Sequence, residues 1–252
     1  MNNSNDVFKN YADYYDVLYK DKDYDAEVKY IHNLIKDSHV IGSKIIEFGS
    51  GTGIHANQLT KFGYDIEGIE LSKDMVSLAK TSNNFNIFEG DMIHYKSKDL
   101  GTFDIALSLF HVVSYLTKNK DLERFFKNAY EHLKKDGILI FDVWYTEAVH
   151  HTPPEVRIKK MSDSKLEIIR IAEPQIHDLE KVVDVNFTIF SKYFSSKKWD
   201  MTKEKHPMRH FSVSDIQELA KINKFKILKK EEFLTSNPLS QDSWGACFVL
   251  QK

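Results

Sequence analysis

Residues 45–53 read Ile45-Ile46-Glu47-Phe48-Gly49-Ser50-Gly51-Thr52-Gly53, an apolar run that gives way to glycine at every second position. The β-branched pair and Phe48 favour a buried strand, and glycines directly behind it permit positive φ and close approach of a ligand to the backbone. A helical pattern follows. A dinucleotide-binding turn would place its third glycine at Ile54, to pack helix on strand around a pyrophosphate. Here the spacing is Gly49-x-Gly51-x-Gly53, and Glu47 just ahead of the turn would repel a pyrophosphate while welcoming a cation.

Outward from this turn, short apolar runs alternate with helical stripes. Ile66 to Leu71, Asn86 to Phe88, Phe103 to Phe110 and Ile138 to Val143 read as strands. Val28, Ile31, Leu34 and Ile35, and likewise Leu122, Phe125, Phe126, Ala129 and Leu133, recur at helical spacing. The alternation predicts βαβ units and a doubly wound, mostly parallel α/β sheet, with ligands at the carboxyl ends of its strands. From Trp144 to Phe211 the period changes to two, as in Val183, Val185, Phe187 and Ile189, which predicts an antiparallel β insertion after the fifth strand. Ser212 with Asp215 opens a further helix, and two strands near 225–233 and 244–250 complete the sheet. The expected division is therefore 1–143 with 212–252 as one domain, and 144–211 as an inserted subdomain.

The chain has 252 residues, with 35 Lys plus Arg against 37 Asp plus Glu and a net charge of −2. That balance argues against a nucleic-acid binder, which needs clustered cations for the phosphates. Cys247 is the single cysteine, so it reads as a buried free thiol, and neither a disulfide nor a cysteine zinc site is expected. The first six residues lack the charged and apolar regions of a leader, and no 18-residue apolar run occurs, so a cytoplasmic protein without a membrane partner is expected.

Two further strand ends carry acidic residues. Glu70 can accept two hydrogen bonds from ribose hydroxyls, and Asp91, in Gly90-Asp91-Met92, can meet the amino edge of adenine. With Glu47 and the glycines, this ordered set resembles class I S-adenosylmethionine-dependent methyltransferases over nearly the whole chain. The resemblance implies a Rossmann-like methyltransferase fold, with a seven-stranded sheet whose last strand is antiparallel. It also implies Glu47 and Gly49 near the methionyl amino group, Gly51 and Gly53 along the ligand, Glu70 on ribose, Asp91 and Met92 on adenine, and Phe110 beside the sulfonium. Tyr15 and Tyr24, from an aromatic cluster with Tyr11, Tyr14 and Tyr19, are candidates for cation–π contact, worth about 0.5 to 2 kcal/mol.

The Tyr11 to Asp16 and Asp23 to Glu27 segments, with an insertion ending His206-Pro207-Met208-Arg209-His210-Phe211, are similar to bacterial N-methyltransferases of nucleotide-linked amino sugars. That similarity implies a small-molecule acceptor and a homodimer built on the insertion. Where those enzymes carry a histidine after the fourth strand, this chain places Tyr115. His111, Tyr115 and His206 are the candidate catalytic groups, and Trp144, Arg157 and Arg209 the candidate acceptor contacts. His206 and His210 share one strand face, opposite Arg209. His150-His151 lacks further ligands at metal spacing and reads as a loop. His32, His39, His94, His132 and His177 read as solvated. N-methylation of an amino sugar stands beside O-methylation of a sugar or other small molecule, and a non-catalytic S-adenosylmethionine-binding module is the third reading.

Overall fold

The computed structural model describes residues 17–82, 85–196 and 198–252. Helix α1 (Tyr24–Asp37) is capped by Asp23, whose carboxylate accepts the Ala26 N–H at 2.9 Å, and Lys36 lies in its last turn. Strand β1 (Lys44–Phe48) leads through the glycine turn into α2 (Ile54–Thr60). β2 (Asp65–Glu70), α3 (Lys73–Ser82), β3 (Asn86–Glu89), β4 (Phe103–Ser108), α4 (Asn119–His132) and β5 (Leu133–Tyr145) continue the alternation. After the short α5 (Thr146–His151) come β6 (Arg157–Ser162) and three long strands, β7 (Leu166–His177), β8 (Val182–Tyr193) and β9 (Asp200–Phe211). Helix α6 (Val213–Ile222), β10 (Lys226–Glu232) and β11 (Gly245–Gln251) end the chain. α6 begins with a full capping box between Ser212 and Asp215.

Strands β3-β2-β1-β4-β5 pair in parallel; β11 lies antiparallel on β5, and β10 antiparallel on β11. These are the seven strands expected. The insertion does not stand apart from them. Trp144 and Tyr145 of β5 pair in parallel with His210 and Phe211 of β9, while Trp144 also pairs with Gly245 of β11. β9 therefore takes the side of β5 that β4 leaves at Ser108, and β8, β7 and β6 follow antiparallel, so among the described residues the hydrogen-bonded sheet has eleven strands. Pro207 and Pro174 cause no bulge, because each lies where its strand has a partner on one side only.

Successive residues of the central strands serve opposite faces, as period two requires. Ile45, Ile105, Ile138 and Ile140 pack with α1 and α2, whereas Ile46, Phe48, Leu139 and Phe141 pack with Phe125 and Phe126 of α4 and Ile216 of α6. Cys247 is buried in the first of these layers, where burial pushes its thiol up, away from thiolate chemistry. His132 corrects the solvated reading. It is fully buried, with Nδ1 2.8 Å from the Asn128 carbonyl and Nε2 accepting the Ser97 N–H at 3.1 Å. β4 also stops two residues earlier than the apolar run, because Phe110 and His111 turn to φ of 65° and 60°. Among the described residues, no helix is long and apolar enough to cross a membrane.

Candidate active site

The three acidic strand ends converge on one cavity of about 1700 Å³ that runs from the glycine turn to the wall made by β7, β8 and β9. The turn is tied to β2: Gly49 and Ser50 both donate to the Ile69 carbonyl, at 2.7 and 3.1 Å, and Gly53 closes onto Ser50 at 2.9 Å. All three glycines have φ between 57° and 79°, which side chains rarely tolerate. Glu70 Oε2 accepts the Gly51 N–H at 2.9 Å and Oε1 the Ser72 N–H at 2.8 Å. Burial raises its pKa, against the lowering by these donors. Each oxygen retains a lone pair for a hydroxyl.

Glu47 differs. It is 2% exposed, its Oε2 has no hydrogen-bond partner among the described residues, and burial, helped by Glu70, pushes its pKa up to about 8. A buried carboxylate left so is costly unless a cation pairs with it. At the third strand end, Asp91 Oδ1 accepts the Ile93 N–H at 3.0 Å, and Asp91 and Met92 both line the cavity.

The successive left-handed residues Phe110 and His111 aim both side chains into the cavity. His111 donates its backbone N–H to Asp142 Oδ2 at 3.1 Å, and its Nδ1 lies 2.7 Å from the same oxygen. Tyr24 lines the cavity beside His55. The Lys22 ammonium sits 4.5 Å from the Tyr24 ring centre and 3.7 Å from that of Phe110, held by Glu27 at 2.6 Å. Both rings thus already face a cation. Glu27 also holds His55 at 2.7 Å. Tyr15 lies outside the described residues, as do Tyr11 and Tyr14.

On the far wall, Tyr115 Oη is 2.8 Å from His206 Nδ1, and both side chains line the cavity together with Trp144 and, at its rim, Arg157. Arg209 does not line it: its guanidinium is drawn to Asn119 Oδ1 at 2.6 Å and to the Thr117 carbonyl. His210 also stays out. It pairs with Thr146 at 2.9 Å, and burial brings its pKa to about 4. Sequence reasoning passed over Arg170, Lys205 and Glu204. The first two line the cavity; period-two spacing from His206 was the signal for Glu204. His150 and His151 end α5 and do not form a loop, and among the described residues no three metal-binding side chains converge.

A parallel α/β sheet with a glycine turn after β1 and acidic residues ending β1, β2 and following β3 defines a class I methyltransferase site. Residues 46–141 match the Methyltransf_11 family, a methyltransferase domain. The chain is an S-adenosylmethionine-dependent methyltransferase. It is 25% identical to the putative methyltransferase YqeM of Bacillus subtilis (strain 168) over 98% of this chain and 97% of that one. Over 54% of its length it is 32% identical to the dTDP-3-amino-3,4,6-trideoxy-alpha-D-glucopyranose N,N-dimethyltransferase of Streptomyces venezuelae, covering 57% of that protein. Its fold resembles a crystal structure of an S-adenosylmethionine-dependent methyltransferase from Clostridium acetobutylicum ATCC 824, with a TM-score of 0.79 at 18% identity, over 97% of this chain and 98% of that one.

Proposed function

We propose that the chain transfers a methyl group to the amino group of a small nucleotide-linked amino sugar. The observation that carries this reading is the cavity itself. At about 1700 Å³ it is larger than the several hundred cubic ångströms usual for one small ligand. The wall away from the glycine turn bears Arg157, Arg170 and Lys205, cations suited to phosphate. The partial likeness to an amino-sugar dimethyltransferase points the same way.

S-adenosylmethionine fits the near half of the cavity, where the buried Glu47 carboxylate, its Oε2 without a partner among the described residues, suits an α-ammonium, and it supplies a methyl group already activated on sulfur. Glu70 takes the ribose hydroxyls, Asp91 and Met92 the adenine, and Phe110 with Tyr24 flank the cationic sulfur. The remaining task of this chain is alignment and exclusion of water, which the insertion of residues 144–211, with β6 to β9, serves as a lid over the cavity. Screening nucleotide sugars with and without amino groups, with product masses and fragments locating the methyl, tests the reading. Methylation of amino sugars alone is expected. Turnover only of non-amino sugars would instead establish O-methylation, which the Tyr115–His206 pair could assist, and silence toward every nucleotide sugar would reject the class.

The same insertion exposes Val156, Ile158, Phe194 and Met201, and we propose that two copies associate through them. Light scattering is expected to give twice the 29.4 kDa chain mass; a particle of the chain mass alone would refute the dimer.

A further inference from the structure

Tyr115, His206 and Glu204 form a continuous hydrogen-bonded series. His206 Nδ1 lies 2.8 Å from Tyr115 Oη, and His206 Nε2 lies 3.0 Å from Glu204 Oε2. His206 is 2% exposed and Glu204 9%. Alternate positions of β9 put both on one face, whereas Tyr115 comes from the turn of 3-10 helix Val112–Tyr115 behind β4. Phe187 of β8 packs edge-on against the imidazole, 4.8 Å between ring centres. Tyr115 and His206 line the cavity; Glu204 does not.

We propose that Glu204 is the positioning residue of a proton relay, Glu204–His206–Tyr115, that removes the acceptor's proton as the methyl group is transferred. The proposal rests on the small-molecule methyltransferase reading above. A carboxylate offers only acceptor sites, so the shared hydrogen belongs to His206 Nε2. Neutral His206 then has its lone pair on Nδ1, and Tyr115 must donate to it. The phenol has a proton to give, because burial holds its pKa well above the ordinary value of 10. A phenolic oxygen can accept as well as donate, so an acceptor N–H or O–H can approach it while it donates to His206.

The balance is simple. An acceptor that gains a methyl from a cationic donor sheds one proton. That N–H or O–H bond breaks toward Tyr115 Oη as the phenolic O–H bond breaks toward His206 Nδ1, and the imidazolium so formed stands beside the Glu204 carboxylate. The proton returns to solvent by the same path after product leaves. Among the described residues, the charged or titratable groups facing the series are Tyr19, Glu70 and Arg170 around Tyr115; Lys205, next in β9, turns instead to Asp184 at 2.7 Å.

The test uses the full chain with ¹⁵N-labelled histidine, His206→Gln assigning one ring among the eleven histidines. Long-range ¹H–¹⁵N spectra are expected to show neutral His206 protonated at Nε2, the tautomer that an accepting Glu204 carboxylate fixes. An Nδ1-protonated ring would overturn the relay. With a dTDP-linked 3-amino sugar as probe, Glu204→Gln should lower kcat about 10- to 100-fold and move the acid limb of its pH profile downward. Glu204→Asp should restore part of the rate, and calorimetric S-adenosylmethionine affinity should stay unchanged. A loss of rate with the limb unmoved would make Glu204 merely structural. A wild-type protein silent toward every nucleotide sugar would refute the proposed acceptor class, while the tautomer measurement would still decide the relay.

Discussion

Replacing Glu47 by Gln is expected to weaken S-adenosylmethionine binding about thirtyfold, or ~2 kcal/mol, while making the ligand-free protein more stable at alkaline pH. Both effects follow from one buried carboxylate with an unpartnered oxygen and a pKa pushed up to about 8 from an ordinary 4.5. The folded state holds a proton there that the unfolded chain releases. Its contribution to stability is therefore full below pH 4.5 and is lost as pH rises through about 8. Binding an α-ammonium reverses the preference, because the ionised form then gains a partner and the proton leaves. Cofactor affinity should accordingly rise between pH 7 and 8 while unliganded stability falls. Glutamine, uncharged at any pH, should flatten both profiles. Thermal melts and calorimetry in buffers of different ionisation heat measure the two slopes and the released proton. Equal affinities for wild type and variant would remove Glu47 from the proposed cofactor contacts.

Gly49→Ala is expected to cost about 3 kcal/mol of stability, combining ~1 to 2 kcal/mol for a left-handed backbone with ~1 to 3 kcal/mol for overpacking. At φ 75°, a Cβ would stand 2.4 Å from Val112 Cγ1 and 2.8 Å from Cγ2. Val112 opens the 3-10 turn that ends at Tyr115, so the disturbance should reach the relay side of the cavity as well. Denaturant unfolding of the double variant with Val112→Ala separates the two causes. Removing the valine methyls should recover the packing part and leave the backbone part. Gly51 is the internal control, since among the described residues a Cβ there meets nothing nearer than Met75 Sδ at 4.0 Å, and its alanine variant should show backbone strain of ~1 to 2 kcal/mol alone. Equal losses at both glycines would contradict the argument.

The cofactor side of the cavity was legible because its signals are local. A glycine spacing, an acidic residue before it and acidic residues at two later strand ends can be read in one pass, and the structure brings Glu47, Glu70 and Asp91 to one cavity. The acceptor side was legible only in part. Arg209 and Arg170 are both long, flexible cations on long strands of the insertion, β9 and β7, and what separates them is the set of acceptors within reach, Asn119 and Thr117 for one and Tyr19 for the other. Local spacing carries no such information. His132 illustrates the same limit, since its burial depends on Asn128 and Ser97 meeting its two nitrogens. The β5–β9 junction involves two residue pairs, too few to leave a periodic trace.

That junction has a mechanical meaning. Had β4's departure at Ser108 left the last residues of β5 bare, the sheet would present a short sticky edge beside the cavity mouth. β9 fills that edge and welds the roof of the chamber to its floor through shared backbone hydrogen bonds. The roof cannot swing open as a free hatch without tearing those bonds. Traffic in and out is left to side-chain rearrangement at the rim, with the chamber's dimensions held constant by one continuous sheet.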